Sequence, residues 1–137
     1  MKTYRIAVLP GDGIGVEVTA EAVALLEALP LERDGIGLEL QTYSVGAAEY
    51  LAHGHPFPEE TFEACRQADA ILLGAMGLPS VRWPDGREIA PQLDLRERLD
   101  LYAGLRPVRL YHEQDTPLKG HAAGDIDLLI VRESTEG

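Results

Sequence analysis

Short apolar runs closed by glycine or proline alternate along this chain with longer stretches of helical spacing. Tyr4 to Leu9 is a β-rich run that ends at Pro10 and a glycine cluster, which reads as a buried strand entering a tight loop. Val16 to Leu29 then has helical spacing. Val16, Ala20, Val23, Ala24 and Leu26 are its apolar positions, Glu17, Glu21 and Glu27 fall between them, and Pro30 stops it. Leu38 to Val45 alternates as a second strand. Glu59 to Gln67 reads as a helix after Pro56 and Pro58, and Ala70 to Leu73 is a continuous apolar run closed by Gly74. Strands separated by helices are joined by crossovers rather than hairpins. The sequence therefore predicts an α/β fold: a three-layer arrangement with a largely parallel sheet and helices on both faces.

The stretch from Gly74 to Ala90 has Gly, Pro and Asp scattered through it and reads as a long loop, a length usually tied to function. Leu93 to Tyr102 is expected as a helix, Leu105 to Leu110 as a strand, His112 to Gly124 as a polar loop and Ile126 to Val131 as a strand. A parallel strand needs a crossover and a covered neighbour. With 137 residues, the chain is expected to hold an incomplete version of this fold.

The net charge of −11 argues against nucleic acid and against anionic membrane surfaces as partners, because both need a basic face. Cys65 is the single cysteine, which excludes an intrachain disulfide and fits a reducing, cytoplasmic setting. No apolar run has membrane length. His53 and His55 stand two apart beside Pro56, a spacing that reads as solvated loop before it reads as a metal pair. In so acidic a chain, cations are informative. Arg96, Arg106 and Arg132 lie at the edges of strand-like runs, and arginine presents a flat, permanently charged fork that clamps carboxylates two-pronged. They point to an anionic small-molecule site. The competing reading makes them salt-bridge partners of nearby acids, scattered in space.

Pro10-Gly11-Asp12-Gly13-Ile14-Gly15 sits between a strand and a helix, where a dinucleotide fingerprint would lie, but it is not that fingerprint. The third glycine would have to stand at Val16 or Val18, and Asp12 places negative charge where a pyrophosphate would be. Spacing alone reads it as a tight turn that needs glycine backbone angles.

Four segments in order, however, resemble one family. They are Pro10 to Gly15; Leu72-Leu73-Gly74-Ala75; Leu95-Arg96 followed by Asp100-Leu101-Tyr102-Ala103-Gly104-Leu105-Arg106-Pro107; and Val131-Arg132-Glu133-Ser134-Thr135-Glu136-Gly137. Together they resemble the isocitrate/isopropylmalate dehydrogenases, the β-decarboxylating dehydrogenases, from Arg5 to the last residue. The resemblance implies an oxidoreductase that oxidatively decarboxylates a malate-type 2-hydroxy acid: 3-isopropylmalate, tartrate or malate. It implies NAD (ahead of NADP), Mg2+ or Mn2+ as a Lewis acid, and a homodimer. Residues 1–103 would begin the nucleotide-side domain, and 104–137 would open a second, dimer-forming domain.

By position, the resemblance gives Arg96, Arg106 and Arg132 the substrate carboxylates. Ile14 falls toward the adenine side of the cofactor, and Gly74, Ala75 and Met76 fall toward the nicotinamide. The family's acidic residue near the nicotinamide falls at Ile89 here, with Glu88 one step earlier as the candidate. Specificity is set four positions before Arg96, where isopropylmalate enzymes carry an apolar residue and this chain carries Gln92. A buried amide set against an alkyl group loses hydrogen bonds, which favours a polar or small substituent. Val16 replaces the usual proline after the glycine loop. The family's catalytic Tyr and Lys and its Asp metal ligands have no counterpart in these residues, so the chain alone is expected to be inactive. The alternative is a non-catalytic relative that binds small carboxylates or pairs with a full-length partner.

Overall fold

The computed structural model describes residues 1–133, so Thr135 and Gly137 of the last motif lie outside the described residues. Two compact units divide between Leu95 and Arg96, ahead of the 103/104 boundary expected from the sequence.

The first unit is built on three parallel strands, β1 (Lys2–Leu9), β2 (Ile36–Thr42) and β3 (Ala70–Leu73), in the order β2-β1-β3. Helix α1 (Ile14–Ala28) carries the chain from β1 to β2. After β2 come α2 (Ala47–His53) and α3 (Glu59–Gln67), which return it to β3 on the other side of β1. Parallel crossovers are right-handed, and the β1-to-β2 and β2-to-β3 crossovers run in opposite directions across the sheet, so α1 and α3 are expected on opposite faces. As the central strand, β1 is the most buried. Ala7, Val8 and Leu9 are at most 2% exposed, and complete burial stabilises a side chain such as Val8 or Leu9 by about 1.5–3 kcal/mol. Phe57 and Phe62 meet edge to face at 6.0 Å beside them.

Helix α1 departs from its expected pattern. Val23 and Leu26 are half-buried, but Val16, Ala20 and Ala24 are exposed, and the fully buried positions are Gly15 and Thr19. Close approach explains this. A Cβ at Gly15 would collide with the carbonyls of Pro10 and Ala75, and one at Gly74 would collide with the Pro10 carbonyl and Thr19 Oγ1. The helix begins so near the β3 exit that only small residues fit there.

The sequence reading had no helix between Val45 and Pro56. The structure has α2 there, closed at Gly54 in the left-handed conformation (φ 78°), whose N–H donates to the Tyr50 carbonyl at 2.8 Å. Its first turn is held by a distant residue. Asp12 is 2% exposed and its carboxylate accepts from the N–H groups of Ala47, Ala48 and Gly77, each at 2.8 Å. The Asp12 N–H donates to the Ala75 carbonyl at 2.8 Å. One side chain thus ties together the loops after β1 and β3 and the start of α2. Gly46 leaves the space for it, since a Cβ there would strike the Asp12 carboxylate.

The 74–90 segment is less irregular than expected. Arg82 and Glu88 form an antiparallel bridge, closed by Trp83 N–H to the Arg87 carbonyl at 2.9 Å, and Trp83 packs edge-on against Tyr50 of α2 at 5.0 Å. Helix α4 (Pro91–Arg98) ends earlier than the expected Tyr102. Asp100 takes the left-handed conformation (φ 52°), the Asp100 N–H donates to the Glu97 carbonyl and the Leu101 N–H reaches back to the Arg96 carbonyl. That pair of bonds is a Schellman stop with aspartate where glycine is usual.

In the second unit, β4 (Ala103–Arg109) pairs with β5 (Asp127–Glu133). The pairing is antiparallel, unlike the first sheet, because Tyr111 to Ile126 between them contains no crossover helix. Both strands expose almost every residue.

Replacing Asp12 with Ala leaves three N–H donors without their acceptor at once, that of Ala47 buried and those of Ala48 and Gly77 partly buried. We expect Asp12→Ala to lower unfolding stability by roughly 3 kcal/mol or more, read as a fall in the urea midpoint with an unchanged slope. A loss below roughly 1 kcal/mol would show that the three loops hold together without it.

Candidate functional site

In an open parallel sheet, ligands bind beyond the carboxyl ends of the strands. Here the loops after β1 and β3 meet at that end. Asp12 pins the two loops together, and a Cβ at Gly11 would collide with the Ala75 carbonyl. The glycines thus serve contact between two backbones, in keeping with the reading of a tight turn. Of the residues the sequence points to, Ile14 stands at the start of α1 with 61% of its surface exposed. Gly74 is half-buried and occupied in packing, Ala75 is exposed and Met76 is half-buried.

Past Met76 lies a cavity of about 170 Å³, lined by Leu78, Val81, Glu88, Ile89 and Gln92 among others. Ile89 is 2% exposed and belongs to the core. Glu88 is exposed, and its carboxylate accepts from Arg82 Nη2 at 3.2 Å at the cavity rim. Gln92 Oε1 is buried and has no hydrogen-bond partner among the described residues.

The second unit contains the arginine cleft. Arg96, at the end of α4, Arg106 of β4 and Arg132 of β5 line one hollow of about 250 Å³ with Leu101, Ala103 and Gly104. The local structure explains the convergence. The Schellman stop folds the chain back at Asp100, so β4 starts beside the last turn of α4. The β4–β5 register then sets Arg106 opposite Ile130 and Arg132 opposite Gly104. Two positions apart on β4, Gly104 and Arg106 share a face, and Arg132 stands across from Gly104. Among the described residues, none of the three guanidiniums has an acidic partner within ion-pair distance. Arg66, Arg82, Arg87 and Arg109 all do. The scattered salt-bridge reading of these arginines therefore fails.

The other candidates have structural explanations. His53 Nδ1 lies 2.6 Å from Glu49 Oε1 one helical turn away, and His55 Nδ1 accepts from the Phe57 N–H at 3.3 Å. Among the described residues, no group of three His, Cys, Asp or Glu side chains is placed to hold a metal ion. Among the described residues, no helix is long and apolar enough to cross a membrane. The sequence reading missed Asp12 as an organising residue, having seen only a charge unwelcome to phosphate. Its signal was a lone acid inside a glycine turn, with Gly46 and two alanines far along the chain to receive it.

The chain is similar to known proteins along nearly its whole length. Residues 5–137 match the family model described as isocitrate/isopropylmalate dehydrogenase. The chain is 50% identical to the 3-isopropylmalate dehydrogenase of Symbiobacterium thermophilum, over 98% of this chain and 38% of that protein. Among solved structures it is similar to a β-decarboxylating dehydrogenase of Thermococcus kodakarensis (TM-score 0.72, 35% identity, 98% of this chain and 35% of that one). It is also similar to the isocitrate dehydrogenase of Methylococcus capsulatus (TM-score 0.76, 30% identity, again 98% and 35%). The chain thus spans a little over a third of the length of these relatives.

Cys65 is buried on α3, and burial pushes its thiol above the ordinary range, which disfavours the nucleophilic thiolate. The folded state therefore holds its proton to higher pH than the unfolded state does. Stability from this residue is intact below the unfolded value and declines as pH rises through it, about 8.5. We expect alkylation of Cys65 at pH 8 to be at least about tenfold slower than in urea-unfolded protein. Equal rates in a thiol-labelling time course would place the thiol at the surface.

Proposed function

This chain belongs to the isocitrate/isopropylmalate dehydrogenase family, and on that footing we propose that the protein oxidatively decarboxylates a malate-type 2-hydroxy acid with NAD and a divalent metal. The observation that carries the reading is the cleft of three arginines without acidic partners among the described residues. A dicarboxylate held beside a reacting centre loses water and needs fixed cations in return. Arg96, Arg106 and Arg132 come from three separate elements, so their forks approach an anion from different directions and fix its orientation as well as its charge. A hollow of about 250 Å³ suits a small organic acid.

For the cofactor, the residues offered are Ile14, Gly74, Ala75, Met76 and Glu88. What favours them is their place near the carboxyl ends of β1 and β3, with a cavity opening past Met76. NAD, when bound, supplies the hydride acceptor. In the chain itself, Asp12 and the glycines keep the two loops in register, and the arginines hold the acid. The described residues do not fit a metal site, so no step is assigned to Mg2+ or Mn2+ here. Residues 1–103 belong in this reading to the nucleotide side and 104–137 to the opening of a second domain. Pairing of two chains is part of the same proposal. Its support is the two-stranded ribbon, whose Leu105, Val131 and Leu129 are 60%, 63% and 54% exposed. Two strands alone are marginal in water and gain from a further layer.

The test is NADH formation by the full-length protein with Mn2+ on 3-isopropylmalate, tartrate, malate and isocitrate. We expect one of the first three to be oxidised. Arg106→Lys, which keeps charge but loses the fork, should raise KM for that acid roughly 30-fold or more, with NAD affinity within about twofold of wild type. Equal losses for acid and NAD would remove Arg106 from the substrate site.

A further inference from the structure

One face of the parallel sheet carries two opposite charges that do not meet. Strand register sets Arg5 of β1 opposite Glu39 of β2, and Ala7 opposite Gln41 two positions on, so these four share a face. Opposite charges at facing positions of neighbouring strands would ordinarily pair. Here the Arg5 guanidinium is drawn elsewhere. Its Nη2 donates to the carbonyl of Gln67 at 2.7 Å, the last residue of α3, where a helix end favours a cation. The backbone holds Arg5 in place as well. Its N–H donates to Asp69 Oδ2 and its carbonyl accepts from the Asp69 N–H, both at 2.8 Å. Glu39 is exposed. Among the described residues, neither its carboxylate nor the Arg5 guanidinium has an oppositely charged partner within ion-pair distance.

Both charges line one hollow of about 160 Å³. Its room comes from small side chains. Ala64 and Ala68, one helical turn apart, wall it from α3, and Ala7 lies on the sheet side. The amide of Gln41 and the half-buried Tyr43 add neutral hydrogen-bonding groups. The charges decide which small molecules suit it. A simple anion drawn to Arg5 also meets the Glu39 carboxylate, and a simple cation drawn to Glu39 also meets Arg5. A molecule that carries one charge of each sign satisfies both. A guanidinium has five N–H donors, so the bond to Gln67 leaves Arg5 able to hold a carboxylate as well. The alanine wall accepts a short apolar group beside the two charges.

We propose that this hollow binds a small α-amino acid, with its carboxylate on Arg5, its ammonium on Glu39 and its side chain against Ala64 and Ala68. The site shares no residue with the arginine cleft or with the loops after β1 and β3. It does not depend on the dehydrogenase reading.

The experiment is a calorimetric titration of the full-length protein with L-alanine, propionate and ethylamine at neutral pH. Propionate lacks the ammonium of alanine, and ethylamine lacks its carboxylate. L-Alanine should saturate with a Kd of about 5 mM or tighter, and each single-charge analogue should bind at least about tenfold more weakly. Glu39→Gln keeps the size of an exposed side chain and removes its charge. It should weaken L-alanine about tenfold and leave propionate unchanged. Arg5 is left intact because it also ties β1 to α3. Arg106→Lys, in the arginine cleft, should leave L-alanine binding as it is. No saturable binding of L-alanine, or equal affinity for L-alanine and propionate, would overturn the proposal. Loss of binding in Arg106→Lys but not in Glu39→Gln would overturn it too, by assigning the amino acid to the arginine cleft.

Discussion

A single buried carboxylate sets the geometry of the first unit. Asp12 accepts three backbone N–H bonds from two distant segments while its own N–H holds the Ala75 carbonyl. A carboxylate has the acceptor capacity to take all three bonds at once, including that of the buried Ala47 N–H. The glycines follow from it. Gly46 makes room for the carboxylate, and Gly11, Gly15 and Gly74 let the two loops touch backbone to backbone. The contact between the loops beyond β1 and β3 is therefore a product of Asp12 as much as of the sheet.

The parallel sheet was legible because its signals are local: apolar runs of strand length, helical spacing between them, and proline or glycine at the ends. The antiparallel pairing of β4 and β5 was not, because exposed strands carry no burial pattern from which to read a partner. Helix α4 was read too long for a different reason. Leu99 and Leu101 continue an apolar rhythm, but the stop is made by Asp100 in a conformation usually left to glycine. The apolar stripe of α1 was overread for a third reason. Its buried positions are small residues chosen for close approach, which a hydrophobic count does not register.

The candidate site divides the same way. Three arginines in an acidic chain stood out in the sequence, and the fold brings them to one hollow. Their convergence depends on the turn at Asp100 and on strand register, neither of which a spacing rule contains. Gln92 was visible as a departure from an apolar position. That its oxygen would be buried without a donor is a packing result, set by Phe57, Leu73 and Leu95 crowding one side of it.

The ribbon of β4 and β5 has a further bearing on how this polypeptide behaves in a tube. Each strand has one free edge and a row of exposed Leu, Ile and Val, the arrangement to which another copy can add a strand without limit. At neutral pH, the net charge of −11 keeps copies apart. As acid brings the chain toward its isoelectric point near 4.7, that repulsion vanishes while the sticky edges remain. Near that pH, the loss of repulsion favours self-association through the ribbon, with no unfolding required.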